Sequence, residues 1–192
     1  DAGEKDLQPG ELRYHGGRRP EGGGPMEYRI QEMPAFRFAG VAARVPMQFE
    51  GENPAIARLA GSITGEQRAE MHRLMDLDPR EVVNVSWDSD TDFQREEGEL
   101  THLIGVLTTR PAAEVGAGLA TLEAAAGTWA VFPSDGPFPE AMQQATADIY
   151  GTWLATAPYE LDGFRMFSFS RVRDDGTAYS EVWVPVRPRS GQ

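Results

Sequence analysis

The chain carries one strand–helix–strand pattern twice, and a duplicated pattern limits the folds open to it. The first pass starts at Met26. Tyr28-Arg29-Ile30 and Phe36-Arg37-Phe38-Ala39-Gly40-Val41 read as two short strands separated by Met33-Pro34-Ala35. Asn53-Pro54 opens a helical stretch, since Asn suits the N-cap and Pro the first helical position. Ile56, Leu59 and Ile63, then Met71, Leu74 and Met75, mark apolar positions of two helical segments broken around residues 61–65. Met71 and Met75 read as core filling. Strands over residues 81–87 and 100–108 complete the pass, joined by an acidic, turn-rich connection whose one large apolar residue is Phe93.

The second pass repeats the order. Residues 119–123 and 128–132 are strand candidates around Gly127, although the Ala-rich stretch before Gly127 suits a helix equally well. Residues 138–154 read as a helix with Met142, Ala145, Ile149 and Trp153 along one stripe. Residues 164–171 and 180–186 form a hairpin across Asp174-Asp175-Gly176. The last strands align, Thr101-His102-Leu103-Ile104-Gly105-Val106 beside Glu181-Val182-Trp183-Val184-Pro185-Val186. Two such halves join their sheets into one layer with helices on one side and a groove at the junction, a place that ligand sites favour. Thr101 and Glu181 are then expected at equivalent positions facing that groove.

The final strand puts an acid inside an apolar run. Side chains alternate, so Val182, Val184 and Val186 share one face while Glu181, Trp183 and Pro185 share the other. A carboxylate beside an indole suits a cavity. Burying it unpaired is expensive, so it needs a partner or a raised pKa, and a ligand is one candidate partner. The alternative is a surface strand with Glu181 in water.

Residues 1–25 differ from the rest. Gly16-Gly17, Gly22-Gly23-Gly24 and three prolines sit among charges, which reads as a linker or tail, with Leu12, Arg13, Tyr14 and His15 able to dock on a surface. Residues 26–188 then form the folded domain and 189–192 a short tail. Beginning at Asp1 without Met, the chain reads as a fragment or a processed product. Four Trp, nine Phe and 40% hydrophobic residues supply a sizeable core. A net charge of −12 argues against direct binding to nucleic acid, whose phosphates call for clustered Lys and Arg. With no cysteine there is no disulfide, thiolate metal site or thiol nucleophile. His15 and His72 have no partner at ligand spacing, so no metal is expected. His102, on the face opposite Glu181, reads as a structural histidine. Gly116-Ala117-Gly118 lacks the third glycine and the strand–helix context of a dinucleotide fingerprint. No Gly-x-Ser-x-Gly elbow or phosphate loop occurs, and no cofactor is expected. No apolar run is long enough for a membrane span, and a cytoplasmic location is expected.

The ordered set of motifs resembles the GyrI-like small-molecule-binding domain, also the effector-binding half of many AraC-type and MerR-type bacterial transcription regulators. Phe36-Arg37-Phe38-Ala39-Gly40-Val41 is similar to its opening strand and Asn53-Pro54-Ala55-Ile56 to its first helix start. Ile104-Gly105-Val106, Ala126-Gly127-Thr128-Trp129-Ala130-Val131-Phe132, Gly136-Pro137, Ile149-Tyr150-Gly151-Thr152-Trp153-Leu154 and the strand from Glu181 to Val186 follow in order. The resemblance implies an α+β fold, a tandem βαββ pseudo-repeat with an antiparallel sheet, helices on one side and a central ligand groove. It implies a lipophilic, often cationic ligand held by an acid and aromatics, with Glu181 at the acidic position and Trp183, Trp129 and Trp153 where aromatics are usual. From the residues themselves, Glu181 with Trp87, Trp129, Tyr150 and Trp183 is a candidate cage for a cation, and Phe38 and Thr101 are further candidates for the ligand site. The helix-stripe Trp153 reads as core. The sequence departs from the family in His102, where Tyr is common, in Arg165, where an acid is frequent, and in Leu59-Ala60-Gly61, which replaces a segment that often carries Trp. Arg165 is thereby a candidate to neutralise Glu181.

Two roles stay open. One is a sensor domain of a transcription regulator, reaching DNA only through an upstream domain. The other is a stand-alone protein on the same fold: a hydrolase that opens cyclopropane rings of DNA-alkylating natural products, with Glu181 as its acid–base group, or a drug-sequestering protein. A third use, inhibition of a protein such as gyrase, has no locatable surface.

Overall fold

The computed structural model describes residues 13–14, 26–48, 52–90, 97–163 and 165–190. The expectations placed on Leu12, His15, Phe93, Phe164 and the glycine runs before Met26 lie outside these. Among the described residues the strands are β1 (Arg13–Tyr14), β2 (Arg29–Met33), β3 (Phe36–Pro46), β4 (Val83–Trp87), β5 (Glu99–Thr108), β6 (Ala120–Ala124), β7 (Gly127–Pro137), β8 (Tyr159–Leu161), β9 (Phe167–Val172) and β10 (Thr177–Pro188). They form one antiparallel sheet in the order β1-β2-β7-β10-β9-β4-β5-β3-β6, with β8 pairing the end of β10. The helices are α1 (Pro54–Gly61), α2 (Gly65–Leu74) and α3 (Glu140–Asp148). The Ala-rich stretch before Gly127 is strand β6, because pairing with β3 outweighs the helix propensity of Ala.

Local chemistry explains several boundaries. Asn53 Oδ1 accepts from Ala55 N at 3.0 Å and Pro54 opens α1. Thr64 and Gln67 make a reciprocal capping box at α2. The β9–β10 hairpin turns through Asp174-Asp175-Gly176, where Gly176 takes φ 82° and Asp175 Oδ1 accepts from Thr177 N at 2.9 Å. Helix α3 has no side-chain cap and runs into a π turn over Ile149–Trp153, which sets both end residues into the core.

The repeat is real but interlaced. Strands β2 and β6 each open a half, yet β2 pairs with β7 of the second half and β6 with β3 of the first. The crossovers Met33–Phe36 and Ala124–Gly127 therefore lie beside one another and tie the halves together. Strands β4 and β9 meet at the seam, with Asn84 opposite Ser168 and Val85 opposite Phe167.

The sheet is curled. Strands β3 and β7 are five strand spacings apart, which is about 24 Å in a flat sheet. Yet the rings of Phe36 on β3 and Trp129 on β7 are 5.9 Å apart. Gly40 and Gly105 sit opposite each other where β3 and β5 close up; a Cβ on Gly105 would lie 2.1 Å from Ala39 O, and one on Gly40 2.0 Å from Ile104 O. Helix α1 lies against β3 and β5, and helices α2 and α3 pack on the convex face. There Met71 and Leu74 cover Ala39 and Val106, while Ile149 and Trp153 cover Ala130, Phe132, Val182, Val184 and Val186. Trp153 is core, as its place on the helix stripe predicts. The concave face carries Phe36, Phe38, Leu103, Trp129, Val131, Phe167, Phe169 and Trp183.

Candidate functional site

Alternation along β10 delivers Tyr179, Glu181, Trp183 and Pro185 to the concave face. Glu181 is 6% exposed, so the surface-strand alternative does not hold. Its carboxylate is fully engaged. Oε1 accepts from Arg29 Nη2 at 3.0 Å and Trp183 Nε1 at 3.1 Å; Oε2 accepts from Arg29 Nη1 at 3.1 Å and Tyr179 Oη at 2.6 Å. The Arg29 contact is a two-pronged fork, the strongest form of this pairing. Burial, then donation to the carboxylate, pushes the Tyr179 hydroxyl up to about 12, so it stays a donor at neutral pH.

The partner foreseen for Glu181 is therefore corrected. Arg165 donates to the Glu123 carbonyl instead, and Arg29 neutralises the acid. Arg29 faces inward because β2 pairs with β7 and sets Arg29 opposite Val131, whose other neighbour is Trp183. The polar alternation Arg29, Gln31 beside buried Tyr28 and Ile30 marks a two-faced strand. It does not say which strand β2 joins, so the sequence reading missed this residue.

Aromatic rings fill the middle of the concave face. Phe167 stacks on Trp183 at 5.2 Å and meets Phe38 and Trp129 edge-on at 5.3 and 5.1 Å. The guanidinium of Arg29 lies over the Trp183 ring, 5.6 Å from its centroid. Arg171 lies likewise over Phe169 and Tyr179, at 5.5 and 5.7 Å, held by Glu81.

Of the residues read from sequence, Glu181, Trp183, Trp129 and Phe38 are brought together through Phe167. Trp87 packs against the rim of the same cluster, opposite Thr101, whose hydroxyl accepts from Arg44 at 3.1 Å. Tyr150 is not with them. It rides on the π turn of the convex side, 44% exposed, its hydroxyl 3.5 Å from Met166 Sδ. The equivalence of Thr101 with Glu181 shifts by two residues. Strands β3 and β7 are both 11 residues long, and Ala42 and Pro133 hold the same position in them. Ala42 pairs with Leu103 and Pro133 with Glu181, so Leu103 matches Glu181 and Thr101 matches Tyr179. On the convex face the same register matches Ser86···His102 at 2.7 Å with Ser170···Ser180 at 2.8 Å.

A groove of about 270 Å³ opens under the β6–β7 crossover, lined among others by Ala124, Trp129, Asp162, Arg165 and Pro185. Pro185 is four residues beyond Glu181, about 13 Å along the strand. Trp129 forms the wall between this groove and the ring cluster.

His102 is buried on the convex face. Asn84 Oδ1 can only accept, so His102 Nε2 donates to it at 2.8 Å and Nδ1 accepts from the Ser86 hydroxyl. Burial pushes its pKa down to about 4, so it is a neutral structural group at ordinary pH. No cluster of metal-ligating side chains occurs among the described residues. No helix there is long and apolar enough to cross a membrane.

The family model of the GyrI-like small molecule binding domain matches residues 26–187. The chain belongs to that family. Among solved structures it is similar to SAV2435 bound to tetraphenylphosphonium, with 17% identity over 84% of this chain and 94% of that one, TM-score 0.58. It is similar to the C-terminal domain of EcmrR, with 12% identity over 85% and 99%, TM-score 0.60. A putative bacterial transcription regulation protein from Staphylococcus aureus MU50 gives 17% identity over 84% and 99%, TM-score 0.56. At these identities the likeness is one of fold. No curated protein matches the chain.

Proposed function

We propose that the chain is the small-molecule sensing domain of a bacterial transcription regulator, receiving a lipophilic, multi-ring ligand on the concave face. The observation that carries this reading is Glu181, 6% exposed at the edge of the ring cluster rather than in solvent. Ordinary cores avoid a buried ion pair, because apolar residues of similar volume serve stability as well or better. A charge kept among rings suits recognition. The ligand enters at the groove beside Trp129 and reaches Trp183 and Phe38, 3% and 0% exposed, by parting the ring cluster, with Trp87 and Thr101 at its rim. The likeness in fold to the Staphylococcus aureus putative transcription regulation protein and to SAV2435 bound to tetraphenylphosphonium supports the same role.

Turnover is the weaker reading. An acid–base carboxylate must reach a water or the substrate. Four donors occupy both oxygens of Glu181 and leave neither for that task.

A thermal-shift screen with lipophilic cations and neutral polycyclic compounds tests the proposal, since a ligand selective for the folded form raises Tm. Dose-dependent stabilisation, reduced by Trp129→Ala, is expected. No stabilisation by either class would count against it.

A further inference from the structure

We infer that Arg29 is a tethered cation occupying the acid–aromatic site, and that it sets the site's selectivity against cationic ligands. The inference rests on the receptor reading above. An acid–aromatic cage binds a cation through two contacts: the carboxylate and the open face of a ring. Arg29 makes both at once, forking onto Glu181 and covering Trp183. Phe167, from β9 on the other side of β10 from β2, stacks on the same indole. A ligand cation therefore has no free ring face at Trp183 and no free oxygen on Glu181 until the guanidinium leaves. Arg171 covers Tyr179 in the same manner, so the rings flanking the acid on both sides already carry a cation supplied by the chain.

The fit of Arg29 is that of an occupant rather than a fixed strut. Its Nε is buried without a hydrogen-bond partner among the described residues, so one donor is sacrificed to reach the acid. It comes from a five-residue strand 152 positions away in sequence, whereas Tyr179 and Trp183 flank Glu181 on its own strand. Removing the guanidinium leaves those two donors to hold the carboxylate in place, with its charge now available to an incoming cation. A neutral compound gains nothing from that charge. The effect of Arg29 is thus on which charge type binds, beyond any effect on how firmly the domain folds.

The test is a calorimetric titration of tetraphenylphosphonium and of neutral triphenylphosphine oxide into the full chain, as wild type, Arg29→Gln, Arg29→Lys and Arg29→Gln/Glu181→Gln. The expected result is cation binding at least tenfold tighter in Arg29→Gln than in wild type, with the oxide changed less than twofold. Arg29→Lys, which keeps the charge without the fork, falls between, and the double variant loses the gain. Equal cation affinity in wild type and Arg29→Gln overturns the inference while leaving the receptor reading in place. Equal gains for both compounds overturn it too, because they report a loosened fold. If neither compound binds any of the proteins, wild type and variants shown folded by circular dichroism alike, both readings fall.

Discussion

Leu103 and Glu181 hold the same position in the two halves, and so do Gly105 and Trp183, and Thr101 and Tyr179. On the first half this face is aliphatic or small. On the second it carries an acid, an indole and a phenol, and it draws a guanidinium from β2 to complete the pairing. On the convex face a hydrogen-bonded polar pair also differs, His102 with Ser86 against Ser180 with Ser170. The backbone plan is shared, so the fold does not require the polar set. Symmetry supplies a curled frame in which, on the proposed function, one half packs and the other recognises.

Making the halves more alike tests this division. The largest effect is expected where the frame itself differs. Gly105→Trp copies Trp183, but its Cβ meets the Ala39 carbonyl at 2.1 Å, which a closely paired backbone cannot relieve. A loss of at least about 5 kcal/mol is expected, enough to unfold a domain of ordinary stability, read by circular dichroism and urea melts. A stably folded variant would mean that the glycine pair is not what lets the sheet curl.

Next comes the site. Glu181→Leu copies Leu103 and strands the Arg29 guanidinium, at a cost of about 3–4 kcal/mol in chemical denaturation. Arg29→Met added to Glu181→Leu is expected to return stability to within about 1 kcal/mol of wild type, because an apolar pair replaces the ion pair. Failure of that rescue would make the pair structural and weaken the case for recognition.

His102→Ser copies Ser180 and gives a smaller, pH-dependent effect. In the folded chain His102 titrates near 4, against an ordinary value of 6.5, so between these values the unfolded chain binds the extra proton. Its contribution is intact above about pH 6.5 and is lost as pH falls toward 4, by up to about 3 kcal/mol. Urea midpoints from pH 7.5 to 4 should show a shallower decline in His102→Ser than in wild type. Parallel declines would remove His102 as the source.

The sequence disclosed what is local or periodic. Asn53-Pro54, Asp174-Asp175-Gly176 and the alternation along 181–186 each carry their own geometry, so the α1 start, the β9–β10 turn and the concave placement of Glu181 follow from a few neighbouring residues. The repeat showed because it is a pattern of patterns. Pairings between distant segments did not show. The exchange of β2 and β6 between halves is set by packing, and with it the arrival of Arg29 at Glu181. The two-residue slip of Thr101 against Glu181 has a similar cause: alternation fixes the face of a strand and leaves its register to the neighbouring strands. Tyr150 left the site because the π turn places Ile149 and Trp153 inward and turns the intervening ring outward.

The four tryptophans report where a ligand sits, since Trp129 and Trp183 lie on the concave face, Trp87 at its rim and Trp153 on the convex side. Fluorine NMR of the chain labelled with 5-fluorotryptophan, titrated with a compound that raises Tm, should move the Trp129 and Trp183 resonances and leave Trp153 in place. Movement of Trp153 with Trp129 and Trp183 unchanged would put the ligand on the helix side and contradict the account.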